Sequence, residues 1–109
     1  MSAWTDIGAA ADLADSARLL AEIDGYYLQC VQVGGDLYAF EDRCTHDDAP
    51  LDDAEIEGRE IICPRHGSRF CLRTGAALTP PAYEPLRIFE VRQHGDRIDL
   101  GSDRDCREI

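Results

Sequence analysis

The sequence predicts an all-β fold, on three observations. Strand-like apolar runs are short and closely spaced. Glycine-containing turn signals separate them, as in an antiparallel sandwich or barrel. The middle of the chain, from Arg43 to Gly75, does not alternate cleanly and reads as two loops inserted between strands.

Taken in order, Asp6–Ala17 is Ala-rich and reads as a short helical turn, with Trp4 before it as an anchor for an N-terminal strand. Arg18–Ile23 and Tyr26–Val33 flank Asp24-Gly25, a strong hairpin signal. Gly34-Gly35 makes the next turn, and Asp36–Glu41 reads as a third strand of the same meander. Glu60–Cys63 and Ser68–Leu72 are shorter strand candidates inside the inserted region. Leu86–Arg92 and Arg97–Leu100 flank His94-Gly95-Asp96, a further hairpin. The tail, Ser102–Ile109, is polar and charged and is expected to fray.

With 109 residues, one domain spanning 1–109 is the natural reading. No stretch approaches the roughly 18 apolar residues of a membrane helix. The first ten residues lack a basic segment and carry Asp6, unlike a secretory leader. A cytoplasmic, monomeric protein with no membrane partner is expected. The chain holds 22 acidic and 11 basic residues, for a net charge of −11. That sign excludes a phosphate-neutralising nucleic-acid binder. It suits steering toward a basic face on a partner protein. The charge is concentrated: Glu41–Glu60 holds nine acids against Arg43 and Arg59, so this segment carries −7.

The five cysteines are Cys30, Cys44, Cys63, Cys71 and Cys106. An odd number without a leader argues against a disulfide framework and for metal ligation. Two pairs stand out. Cys44-Thr45-His46 is a C-x-H and Cys63-Pro64-Arg65-His66 a C-x-x-H, with 16 residues between His46 and Cys63. Thiolate and imidazole are ligands that iron and zinc both accept. Zinc fingers of the C2H2 type segregate cysteines and histidines into separate pairs, whereas here each pair holds one of each. That arrangement suits a binuclear cluster, with both cysteines on one iron and both histidines on the other.

These motifs, with Gly67-Ser68 and the following Phe70-Cys71-Leu72-Arg73-Thr74-Gly75, resemble the Rieske ferredoxin family. More narrowly, they resemble the soluble ferredoxins of aromatic-ring-hydroxylating dioxygenases. The likeness runs from about Trp4 to Leu100. It implies a Rieske-like antiparallel base with an inserted cluster-binding subdomain at about 43–75. It implies one [2Fe–2S] cluster, with Cys44 and Cys63 on the inner iron and His46 and His66 on the outer one. It further implies a one-electron carrier, not an enzyme by itself, loaded by a flavin-dependent ferredoxin reductase and unloaded by a terminal oxygenase.

The resemblance also bears on potential. Imidazole in place of two thiolates makes a Rieske centre easier to reduce than a four-cysteine cluster. High-potential members add a loop disulfide at positions that are Ala49 and Arg65 here, and a Tyr donor at the position of Phe70. Ser68 keeps the serine of that pattern, as a possible donor to a cluster sulfide. A low potential for the class is expected. The Pro80-Pro81 loop would cover one side of the cluster.

Outside the motif, Cys30 and Cys71 are expected to pack as small hydrophobes, and Cys106 to be a tail thiol. His94 is expected to sit in a hairpin turn, and Arg69 and Arg73 to pair with the acidic segment. Two alternative functions are a Rieske-like small subunit of a redox complex such as nitrite reductase, and a zinc-stabilised binding module.

Overall fold

The structure is a computed structural model describing residues 4–16, 18–23, 25–45, 50–51, 54–65, 67–80 and 82–104. Its strands and one short helix run in the order β1 (Thr5–Ala9), α1 (Ala10–Ser16), β2 (Arg18–Ile23), β3 (Tyr26–Val33), β4 (Asp36–Glu41), β5 (Glu55–Glu57), β6 (Glu60–Ile62), β7 (Arg69–Cys71), β8 (Ile88–His94) and β9 (Arg97–Arg104). They form a six-stranded sheet, order β1-β9-β8-β4-β3-β2, and a three-stranded sheet, order β5-β6-β7. All strand pairs are antiparallel. The all-β expectation holds.

The expected hairpins are present. β2 and β3 pair from Ile23↔Tyr26, and β3 and β4 from Val33↔Asp36. β4 then pairs not with β5 but with β8, through Ala39↔Phe89 and Phe40↔Ile88. The second sheet is thus inserted between two neighbouring strands of the first.

Period-two alternation divides the apolar residues of β3 and β4 between two cores. Leu28, Cys30 and Ala39 join Leu13, Ile98 and Leu100 on one face. Val31 and Phe40 join the core of the inserted region, with Cys44, Ile61, Cys63 and Phe70. β3 is therefore buried on both faces at its centre, and β4 over its last three residues, Ala39–Glu41. Arg59, in the β5–β6 turn, fixes the second sheet to β4 by donating to Tyr38 Oη at 2.8 Å and Asp36 Oδ2 at 2.9 Å.

Three local expectations are corrected. Asp6–Ala17 is not one helical turn: β1 takes its first part, and the helix covers Ala10–Ser16. Pairing with β9, reinforced by Arg97 bonding both carboxylate oxygens of Asp6 at 2.8 Å, overrides the helix preference of alanine there. The last strand does not end at Leu100 but runs to Arg104, because β8 still offers Ile88 and Phe89 as partners. Leu86 is not in β8, because its N–H donates to Gly75 O at 2.6 Å, within the inserted region. Residues 105–109, Cys106 among them, lie outside the described residues.

Candidate metal centre

The first motif loop leaves the base at Glu41. Asp42 N–H donates to Tyr27 O at 2.7 Å, which holds the loop start against β3. Asp42 Oδ1 then accepts the N–H of Leu51 at 2.6 Å, closing the loop at its neck. Cys44 lies inside this closed stretch and is fully buried. Thr45 Oγ1 donates to Glu84 O at 2.8 Å.

The second loop follows β6 directly. Cys63 N–H donates to Ser68 O at 2.8 Å, and Gly67 N–H donates to Cys63 O at 2.9 Å. Gly67 has φ +75°, a left-handed conformation that the tight return requires. Cys63 is 1% exposed. The two loops thus share a design: a buried cysteine near the start, a His three or fewer residues on, and a neck closed by hydrogen bonds.

Cys44 and Cys63 belong to one apolar cluster with Leu51, Ala54, Ile61 and Phe70. Neither is in a disulfide. A thiolate in such surroundings is costly unless a cation compensates it, so this pair fits a metal centre. Ser68 adds to the fit. It is fully buried, and its oxygen accepts the N–H of Ala82 at 3.2 Å. Among the described residues, no acceptor is recorded for its own O–H.

A third segment, residues 76–86, bridges the loops. Ala82 holds it to the second loop through Ser68, and Glu84 holds it to the first through Thr45. Leu78 N–H donates to Arg69 O at 2.7 Å, and Thr79 Oγ1 accepts from Arg69 N–H at 2.9 Å. Arg69 also pairs with Glu57 and Glu60 at 3.1 and 3.2 Å, as expected from the sequence.

His46 and His66 lie outside the described residues, as do Ala49, Asp47, Asp48, Asp52, Asp53 and Pro81. Among the described residues no three His, Cys, Asp or Glu side chains form a metal group. The cysteines set aside as packing residues behave differently from each other. Cys30 is fully buried, and that burial pushes its thiol up to about 12. At Cys71 partial burial works upward, but hydrogen bonds from Thr74 and from the Arg73 and Thr74 backbone outweigh it and lower the thiol below its ordinary value. His94 ends β8, exposed, with its Nδ1 3.8 Å from Asp99.

Sequence reading missed the polar residues beneath the first loop. Gln29 is fully buried in β3. Its signal was an amide between apolar neighbours, Leu28 and Cys30, in the run Tyr26–Val33, which also holds the exposed Gln32.

A family model described as the Rieske [2Fe-2S] domain matches residues 3–90. The chain belongs to the Rieske [2Fe–2S] family. This Rieske chain is 35% identical over 95 residues to the ferredoxin component of the naphthalene 1,2-dioxygenase system of Pseudomonas aeruginosa, covering 87% of this chain and 91% of that one. It is 36% identical over 96 residues to the biphenyl 2,3-dioxygenase ferredoxin component of Rhodococcus jostii (strain RHA1), covering 88% and 90%. In structure it is similar, with a TM-score of 0.83 and 31% identity over 94% of this chain and 95% of the other, to a chain from the complex of reduced oxygenase and oxidized ferredoxin in carbazole 1,9a-dioxygenase. The Rieske domain carries one [2Fe–2S] cluster, and the relatives are the ferredoxin components of their systems. No helix among the described residues is long and apolar enough to cross a membrane.

Proposed function

We propose that this chain is a one-electron carrier of a ring-hydroxylating dioxygenase system, with its cluster held by Cys44, His46, Cys63 and His66. A flavin-dependent reductase loads it, and a terminal oxygenase unloads it. The whole chain, 1–109, acts as one unit in the cytoplasm and as a monomer. The observation that carries this reading is the burial of Cys44 and Cys63 in one apolar cluster, each in a loop closed at its neck, in a chain of this family.

The bound cluster supplies reversible one-electron uptake. The protein supplies the setting. Buried thiolates keep their side of the site away from water. The segment 76–86 is tied to both loops and keeps them in one arrangement. The acidic stretch Glu41–Glu60, at −7, offers a face for a basic partner, as an electron carrier that must meet and leave two proteins requires.

Anaerobically purified protein tests this. Iron and acid-labile sulfide in equal amounts are expected, with an electron paramagnetic resonance (EPR) signal that appears on reduction. A flavoprotein reductase with NADH should reduce it, and an oxygenase with aromatic substrate should reoxidise it. A colourless zinc protein would overturn the proposal.

A further inference from the structure

Gln29 poses a problem in the base sheet. It is fully buried, and a buried amide destabilises the fold unless it is hydrogen-bonded. Its partners solve that problem in one direction. Its Oε1 accepts from Arg18 Nη1 at 3.1 Å, and its Nε2 donates to Asp42 Oδ1 at 3.0 Å. With a cation on one side and a carboxylate on the other, the amide fits in this orientation only.

Both ends of the network finish on the neck of the first motif loop. Asp42 Oδ1 holds the N–H of Leu51 at 2.6 Å, and Arg18 Nη1 donates to the carbonyl of the same residue at 2.9 Å. Arg18 Nη2 donates to Ala54 O. The register explains the reach. Arg18 lies opposite Val31 and Leu20 opposite Gln29, so Arg18 and Gln29 are diagonal neighbours on one sheet face. Two paired strands, β2 and β3, therefore grip the stretch Asp42–Leu51 at both of its ends.

We infer that Arg18 and Gln29 are positioning residues for the first ligand loop, acting through Asp42 and the backbone of Leu51 and Ala54. The inference rests on the proposed ligand role of Cys44 and His46. Reduction adds one negative charge at the site, and a loop with a loose neck relaxes around it. A loop pinned to two strands holds its ligands in nearly the same place in both oxidation states. Supporting groups of this kind fix ligand orientation and resist cluster loss.

The test uses the cluster-loaded full chain and its Arg18→Lys and Gln29→Leu variants. Arg59→Ala serves as control, because Arg59 ties the two sheets together away from this neck. Lysine has one donor nitrogen in place of the guanidinium fork, so it does not reproduce the two-nitrogen geometry by which Nη1 serves Gln29 and Leu51 and Nη2 serves Ala54. Arg18→Lys also keeps the test open if Gln29→Leu fails to fold. Expected in either variant are iron loss to a chelator on the order of tenfold faster and a broader EPR signal of the reduced protein. Arg59→Ala should lower the unfolding midpoint and change neither. Wild-type linewidth and iron loss in Arg18→Lys would overturn the inference, as would the same changes in Arg59→Ala. A wild-type chain without iron and sulfide would overturn the ligand reading itself, and this inference with it.

Discussion

The hydroxyl oxygen of Ser68 accepts the backbone N–H of Ala82 at 3.2 Å, with both residues buried. This one atom joins the second motif loop to the segment that bridges both loops. Ser68→Ala therefore has two separable effects. The Ala82 N–H loses its partner, at a cost of about 1–3 kcal/mol, read as a lower urea midpoint. If the O–H donates to cluster sulfur, as the family resemblance implies, its loss also removes stabilisation from the reduced state and lowers the midpoint potential. A hydrogen bond worth about 1 kcal/mol corresponds to a shift on the order of 50 mV for one electron. Unchanged potential with reduced stability would confine Ser68 to tethering.

The cysteines divide into two classes. Cys44→Ser and Cys63→Ser should abolish iron and sulfide binding, while Cys30→Ser and Cys71→Ser should retain both, by metal and sulfide analysis. Native alkylation at pH 8 should label Cys71, whose thiol is held below its ordinary value, and spare Cys30, pushed up to about 12 from 9.0. The sign for stability follows. The raised Cys30 value contributes stability fully below pH 9.0 and loses it as pH rises toward about 12. Cys30→Ala should flatten the alkaline fall in unfolding midpoint.

Gly75 has φ +80°, and a Cβ there would meet Leu86 O at 2.2 Å, a backbone atom that cannot swing aside. Gly75→Ala should cost at least about 2 kcal/mol, from the left-handed backbone and the displaced chain together. Gly35→Ala makes the comparison, since its Cβ meets nothing within 4 Å. It should cost about 1 kcal/mol. Denaturation midpoints of the two variants check the difference, and equal losses would contradict the close approach.

The acidic segment should act on association, not on the cluster. Asp47, Asp48, Asp52 and Asp53 replaced by Asn should slow electron transfer to the oxygenase by roughly tenfold at low ionic strength, with the gap closing as salt screens the field. Stopped-flow rates over a salt series test this. Rates equal to wild type at low salt would place the docking face elsewhere.

Hairpin chemistry made the base legible. Gly25, Gly34-Gly35 and Gly95 mark three turns, and each lies between paired strands. The cysteines of the candidate site were legible because ligand chemistry restricts residue type and spacing. β5, at Glu55–Glu57, was not, because three residues with two exposed acids carry no apolar alternation. An N-terminal strand beside Trp4 was legible, but its run through Asp6–Ala9 was not, because its pairing with β9 joins residues at opposite ends of the chain. The Arg18–Gln29–Asp42 network was hidden for a related reason. Its members come from three segments, and a single buried Gln in a strand does not announce which loop it supports.

The Glu41 N–H donates to Arg87 O at 2.9 Å, where the chain leaves the base sheet and where it returns. Departure and re-entry are thus stitched side by side, between strands that are themselves paired. Residues 42–86 behave as a cassette. Changes in their loops that keep Asp42 and the apolar residues packed against Val31 and Phe40 should not open the sheet that holds them. In such a protein, selection can retune redox chemistry and partner choice within the cassette while the frame stays as it is.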